Sequence, residues 1–155
     1  MLIRKLREED IDLILGLTAG NTLFYKYHPP VADYMSIQND MHAVPPGVEK
    51  KDKYYMGLFD RDDLIAVMDL IVHYPQKKTA FIGFLMIKAE EQHHGLGSEI
   101  VADLCASLKA HGFEKVRLAV DHGNPQSLAF WQKNGFSLTN EDGRYRPMER
   151  MLSDR

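Results

Sequence analysis

Two glycines separated by one residue, Gly95 and Gly97, stand where a strand-like segment gives way to the most regular helical pattern in the sequence. Glycine lets the backbone approach a ligand closely, because no Cβ atom intervenes. Free backbone N–H groups and the positive end of a helix dipole together favour a phosphate group. The segment Gln92-His93-His94-Gly95-Leu96-Gly97 is therefore a candidate anion site, although a flexible loop with a glycine helix start has the same pattern.

A single carboxylate, that of Asp69, interrupts the longest apolar run of the sequence, residues 64–72. A carboxylate in an apolar strand costs free energy unless it is paired or functional, and burial raises its pKa. Asp69 is therefore a candidate general base, a group that takes a proton from a nucleophile. In the alternative, Asp69 faces solvent or fixes a loop by hydrogen bonds.

The histidines and the single cysteine form no metal-binding pattern. His93-His94, Cys105, His111 and His122 lack the spacing of paired ligands, and a structural zinc site usually draws on more cysteines. We expect no metal.

Hydrophobic periodicity places these residues on alternating helices and strands. The predicted strands cover residues 3–6, 54–59, 64–74, 79–87, 116–120, 136–138 and 145–151. Four helices are predicted. The first ends near Leu17 and the second covers residues 31–41. The third runs from Leu96 to Gly112, and the fourth runs from Asn124 to Gly135. Tight polar turns join three consecutive strands, which indicates an antiparallel meander.

This order of elements predicts a mixed α/β fold in one domain, residues 1–155. We expect one mostly antiparallel sheet of about six to seven strands, with helices on both faces. If the strands at residues 79–87 and 116–120 are parallel, the helix between them forms a right-handed crossover.

Composition narrows the class of protein. Hydrophobic residues make up 45% and charged residues 26%, as in ordinary globular domains, and the net charge of -3 gives no reason to expect a nucleic-acid partner. No apolar run is long enough to span a membrane. The only cysteine, Cys105, cannot form an intramolecular disulfide, which favours a reducing compartment, and we expect a cytoplasmic protein.

Two segments resemble the GNAT (Gcn5-related N-acetyltransferase) family. Gln92-His93-His94-Gly95-Leu96-Gly97 is similar to its Gln/Arg-x-x-Gly-x-Gly/Ala signature, and residues 124–136 resemble its Asn-x-x-Ala-x-x-Phe-Tyr-x-Lys-x-Gly-Phe helix and turn. The resemblance implies a GNAT-like fold and an enzyme that transfers an acetyl group from acetyl-CoA to a primary amine by direct attack on the thioester.

The resemblance also implies roles for individual residues. Main-chain amides of the signature, with Ser98, would hold the pyrophosphate; the signature residues are Gln92, His93, His94, Gly95, Leu96 and Gly97. The main chain of Leu85 and Ile87 would pair with the pantetheine arm, and Asn124 would contact the pantetheine or the adjoining phosphates, besides capping its helix. Tyr25, Tyr27 and His28 lie where GNAT-like proteins often bind the acceptor, although an aromatic cluster before two prolines is otherwise packing.

One departure from the family pattern concerns the general acid. Trp131, which we place at the cofactor, stands where some members have a catalytic tyrosine, and an indole has no proton to release near neutral pH. Tyr145 is a candidate substitute. A thiol with a pKa of about 8.5 can also leave as the thiolate at a cost on the order of 2 kcal/mol.

Two other functions compete with acetyl transfer. The first is dinucleotide binding, but in that motif the glycines follow the strand directly and a third glycine stands where this chain has Ile100. A non-catalytic acyl-CoA-binding regulatory module is the second rival, supported by Trp131. The acceptor, a small molecule or a peptide amine, stays open, and a homodimer is possible.

Overall fold

The computed structural model describes residues 1–152, which form one sheet flanked by helices. The strands are β1 (Leu2–Lys5), β2 (Lys53–Asp60), β3 (Asp63–Val72), β4 (Thr79–Ile87), β5 (Lys115–Asp121), β6 (Ser137–Leu138) and β7 (Tyr145–Met151). The helices are α1 (Ile11–Ala19), α2 (Thr22–Tyr27), α3 (Tyr34–His42), α4 (Leu96–Ala110) and α5 (Pro125–Lys133). Within this part of the chain no helix has the length and hydrophobicity needed to cross a bilayer.

The seven strands lie in the order β1-β2-β3-β4-β5-β7-β6. Strands β4 and β5 are parallel neighbours, joined through α4, and the other neighbouring pairs are antiparallel. The predicted mixed, mostly antiparallel sheet is confirmed.

Strands β4 and β5 are paired over only part of their length, and this leaves a gap in the sheet. Their pairing runs from Thr79↔Lys115 to Ile82↔Leu118 and then stops. Strand β4 continues to Ile87, and β5 continues to Asp121 while paired only with β7. The two central strands therefore open into a gap at their C-terminal ends, the position at which open α/β sheets bind ligands.

Each face of the sheet carries its own core. On one face α4 and α5 pack over the central strands through residues that include Val101, Cys105 and Trp131. On the other face α1 and α3 contribute Ile11, Ile14 and other buried residues. The buried residues of α4 are Val101, Cys105 and Leu108.

Two local predictions need correction. The residues between the first two predicted helices contain an additional helix, α2, and the next helix begins at Tyr34 rather than at Val31. Asp33 explains that start, because its side chain accepts a hydrogen bond from Ser36 N at 2.8 Å and so caps α3. The predicted cap of α5 is confirmed by the bond of 3.2 Å from Ser127 N to Asn124 Oδ1.

Candidate active site

A cleft of about 590 Å³ opens where β4 ends and α4 begins. It is lined by residues 20–24 at the start of α2, residues 85–87 of β4, most of residues 92–98, and one face of α5. Most of the residues predicted to bind the cofactor therefore share one cleft. His94 and Leu96 belong to the same turn but do not line it.

The turn before α4 has an unusual backbone. Gly95 has a φ of 84° and His93 has a φ of 66°, so both lie in the left-handed region, which costs a non-glycine residue roughly 1–2 kcal/mol. The first hydrogen bond of α4 runs from Glu99 N to Gly95 O at 3.0 Å. The three amides that precede Glu99 in the helix thus have no partner inside it. A turn followed by a helix start presents these N–H groups to an anion.

Gly97 is favoured by a close contact rather than by its backbone angle. A Cβ atom at this position would lie 3.0 Å and 3.1 Å from two ring carbons of Phe130 on α5. Both residues line the cleft. A larger side chain at position 97 would therefore displace the ring or enter the cleft.

The end of β4 offers a free main-chain edge. Lys88 N donates to Ile65 O of β3 at 2.8 Å, and backbone groups in an antiparallel pair alternate between the two sides of a strand. With the observed register, Met86 is the next position bonded to β3, so the backbone groups of Leu85 and Ile87 point away from it. They point into the gap left by β5.

The side chain of Gln92 ties this turn to the rest of the site. Its Nε2 donates to Asn21 Oδ1 at 2.6 Å and to the carbonyl of Ile87 at 2.8 Å. Asn21 is buried and in turn donates to Leu17 O at 2.9 Å. The predicted role of Gln92 involves its main-chain amide only, because a contact between positions 71 residues apart has no local signal in the sequence.

The wall of the cleft opposite β4 comes from α5. Asn124 is 8% exposed; it caps α5 and also lines the cleft. Trp131 is also 8% exposed and packs edge-to-face on Phe130 and Phe136, so most of its ring belongs to the core. Lys133, which is not among the predicted site residues, adds a positive charge to the lining.

A second cavity of 370 Å³ lies on the other face of the sheet, below α1, α2 and α3. Gly83 and Phe84 of β4 line it, whereas the following residues of β4 line the cleft, and Phe24 lines both. The two cavities are therefore neighbours at the point where β4 and β5 separate. Three residues predicted to act on the acceptor side, Tyr25, His28 and Asp69, line this second cavity together.

Asp69 lies at the irregularity of β4. The register between β3 and β4 shifts after the pair Asp69↔Phe84, and Asp69 Oδ2 is 3.2 Å from the position of a Cβ at Gly83. Lys53 Nζ, buried on β2, donates to Asp69 Oδ2 at 3.0 Å and to Ala43 O at 2.7 Å. Burial raises the pKa of Asp69 above its usual value, and Lys53 partly opposes that shift. Within residues 1–152, Asp69 Oδ1 is buried without a hydrogen-bond partner.

His28 connects the acceptor side to the end of β5. Its Nδ1 lies 3.0 Å and 3.1 Å from the two carboxylate oxygens of Asp121. Asp121 on β5 is paired with Tyr145 on β7, and the ring centroid of Tyr145 is 6.3 Å from that of His28. Tyr145 lines neither cavity, and Tyr27 also lies outside both, with Lys26 Nζ 5.5 Å above its ring.

Known proteins share this architecture. The family model described as "Acetyltransferase (GNAT) family" matches residues 19–136. A search of the curated protein sequences gave no significant match.

Three solved structures cover nearly the whole chain. The PaiA N-acetyltransferase from Thermoplasma acidophilum in complex with coenzyme A has 22% identity and a TM-score of 0.73, over 97% of this chain and 98% of that one. The ribosomal-protein-S18-alanine N-acetyltransferase from Escherichia coli has 16% identity and a TM-score of 0.71, with 99% and 95% covered. A mutant of the spermidine N-acetyltransferase SpeG from Vibrio cholerae has 20% identity and a TM-score of 0.65, with 98% and 95% covered.

At these identities the solved structures show a shared fold, and the family model covers most of the chain, including both segments that carry the resemblance. The open gap between β4 and β5 and the glycine turn before α4 lie inside the matched region. This chain belongs to the acetyltransferase (GNAT) family.

Proposed function

We propose that this chain is an N-acetyltransferase that moves the acetyl group of acetyl-CoA to a primary amine. The observation that carries the proposal is the cleft in which a free strand edge and a row of unpaired amides at a helix start face the same space. The family supports acyl transfer, and one structural neighbour was solved with coenzyme A. We propose a cytoplasmic location, because the only cysteine, Cys105, is buried and has no partner in the chain with which to form a disulfide.

In this proposal the turn and α4 bind the diphosphate through main-chain N–H groups between Gln92 and Ser98. The N–H groups of Leu85 and Ile87 hold the pantetheine arm, since the carbonyl of Ile87 already accepts a bond from Gln92. Lys133 adds a countercharge at the wall of the cleft. The arrangement directs the thioester along β4 towards the second cavity.

The transfer itself forms one bond and breaks another. The neutral amine attacks the thioester carbonyl, the C–N bond forms, the C–S bond breaks, and the electron pair leaves on sulfur. We propose that Asp69 takes the proton of the amine, because it lies at the strand irregularity where the cavities are neighbours. Tyr145 is our candidate for returning a proton to the sulfur, although it lies near His28 rather than in either cavity.

A second function is favoured by one residue. Trp131 occupies the position of the catalytic tyrosine of some relatives, and its buried, packed ring donates no proton to a leaving thiolate. A chain of this kind that binds acyl-CoA without turnover would serve as a regulatory module. The thiolate leaves at modest cost without an acid, on the order of 2 kcal/mol, so we favour the enzyme.

The proposal predicts amine-dependent release of free thiol from acetyl-CoA. We expect turnover with at least one member of a set of small primary amines, and mass spectrometry should show the amine heavier by one acetyl group. Omitting the amine provides the control for simple hydrolysis. Tight binding of CoA with no acetylated product from small amines or peptide N-termini would instead support the regulatory module.

A further inference from the structure

The second cavity has an unbalanced charge. Among the described residues that line it are three carboxylates, those of Asp33, Asp40 and Asp69, one histidine, His28, and no lysine or arginine. Burial raises the pKa of Tyr25 and of Tyr55, so both phenols in the wall stay neutral near neutral pH. The cavity therefore favours a positively charged occupant, and an acidic one is disfavoured.

The three carboxylates differ in their partners. Asp33 caps α3, and Asp69 is paired with Lys53, although the buried Oδ1 of Asp69 lacks a donor within residues 1–152. Asp40 makes no hydrogen bond or ion pair with any residue in that range. Its side chain is open to solvent through the cavity, yet the surrounding protein raises its pKa by desolvation. Asp40 thus has no directly bonded cation, although Lys53 and His28 lie close enough to oppose part of the rise in its pKa.

The chemistry of transfer limits what this cation can be. A negative lining stabilises an ammonium group over the neutral amine, whereas the attacking nitrogen must be neutral. An acceptor with one amino group cannot be held as ammonium by one carboxylate while it loses its proton to another. An acceptor with two amino groups avoids this conflict, because one group stays charged while the other loses its proton.

Resting on the function proposed above, we propose that the second cavity binds a small aliphatic acceptor with two amino groups, of which Asp40 holds one as ammonium. The other amino group lies at Asp69 and Phe84, where the cavity is next to the cleft. The volume of 370 Å³ is at the small end of ligand pockets, which span about 300–1,000 Å³, and so fits a small molecule rather than a folded protein surface. The aromatic rings of Phe24 and Tyr55 pack against the carbon chain.

The test compares 1,4-diaminobutane with n-butylamine, which has the same carbon chain and one amino group fewer. We expect kcat/KM to be at least tenfold higher for the diamine. Asp40→Asn should lower kcat/KM for the diamine by about tenfold and leave that for the monoamine unchanged. Asp12→Asn, the same change on the exposed side of α1, should alter neither value. A wild-type chain without preference for the diamine, or an equal effect of Asp40→Asn on both amines, overturns the proposal.

A binding measurement separates this proposal from acetyl transfer itself. Calorimetric titration of the CoA-saturated chain with 1,4-diaminobutane should show binding that Asp40→Asn weakens about tenfold. If the diamine binds in this way but no amine is acetylated, the transfer activity is refuted and the cation site stands. If the diamine does not bind to the folded chain, the cation site is refuted whatever the turnover.

Discussion

Gly97→Asp is expected to weaken CoA binding by roughly two orders of magnitude in a chain that still folds. The new carboxylate would stand among the amides that are proposed to bind the diphosphate, and like charges brought together cost several kcal/mol. A loss of about 3 kcal/mol corresponds to a roughly 100-fold weaker Kd. Isothermal titration with CoA measures the affinity, and thermal unfolding shows whether the domain is intact.

The matched control is Gly97→Asn, which has nearly the same shape as the aspartate variant and no charge. A Cβ at position 97 presses on the ring of Phe130 in both variants, so this steric cost cancels in the comparison. We expect Gly97→Asn to lose affinity as well, but by at least tenfold less than Gly97→Asp. Equal affinities of the two variants would mean that no anion binds beside this residue, and wild-type affinity in both would remove the site.

Asp69→Asn is expected to lower kcat by about 10²–10⁴-fold, the contribution typical of a general base, with CoA affinity retained. Only the ionised carboxylate accepts a proton, so the rate of the wild-type chain should fall as pH decreases through the pKa of Asp69. Burial raises that pKa, which places the fall above the ordinary range of an aspartate. A pH–rate profile measured at saturating acetyl-CoA should lose this limb in the variant.

Stability must be followed in the same experiment, because Asp69 is the ion-pair partner of the buried Lys53. Breaking a buried pair by removing one partner typically costs about 3–5 kcal/mol. Lys53→Met provides the second variant, since it removes the cation that holds down the pKa of Asp69. If Asp69 is the base, the acidic limb moves to higher pH in Lys53→Met and disappears in Asp69→Asn. An unaltered profile in both folded variants would exclude Asp69 from proton transfer.

Much of the fold is readable from the sequence because its signals are local. The glycines before α4, the Asn-Pro start of α5 and the polar turns of the meander each act within a few residues. Helix α2 was missed because its aromatic residues follow neither a clean helical stripe nor a strand alternation, and it has no fully buried residue. Its stability comes from contacts such as that of Phe24 with Phe84, 5.7 Å between ring centroids.

Several contacts in the site could not be predicted from the sequence. The turn that we propose to bind the diphosphate is one continuous segment, so its residues could be named in order. The pairing of Lys53 with Asp69, the contact of His28 with Asp121 and the place of Asp40 depend on how distant segments meet across the sheet. Strand register sets the first of these contacts, and the other two depend on how α2 and α3 pack on the sheet, so none of them can be read from the local pattern of residues.

A crystal structure of the chain with CoA tests the central claim most directly. We expect diphosphate oxygens within about 2.7–3.2 Å of main-chain nitrogens between Gln92 and Ser98, with the pantetheine arm extended along Leu85 in the gap between β4 and β5. A diphosphate bound outside this turn, with the same nitrogens engaged by protein carbonyls, would contradict the assignment of the cleft.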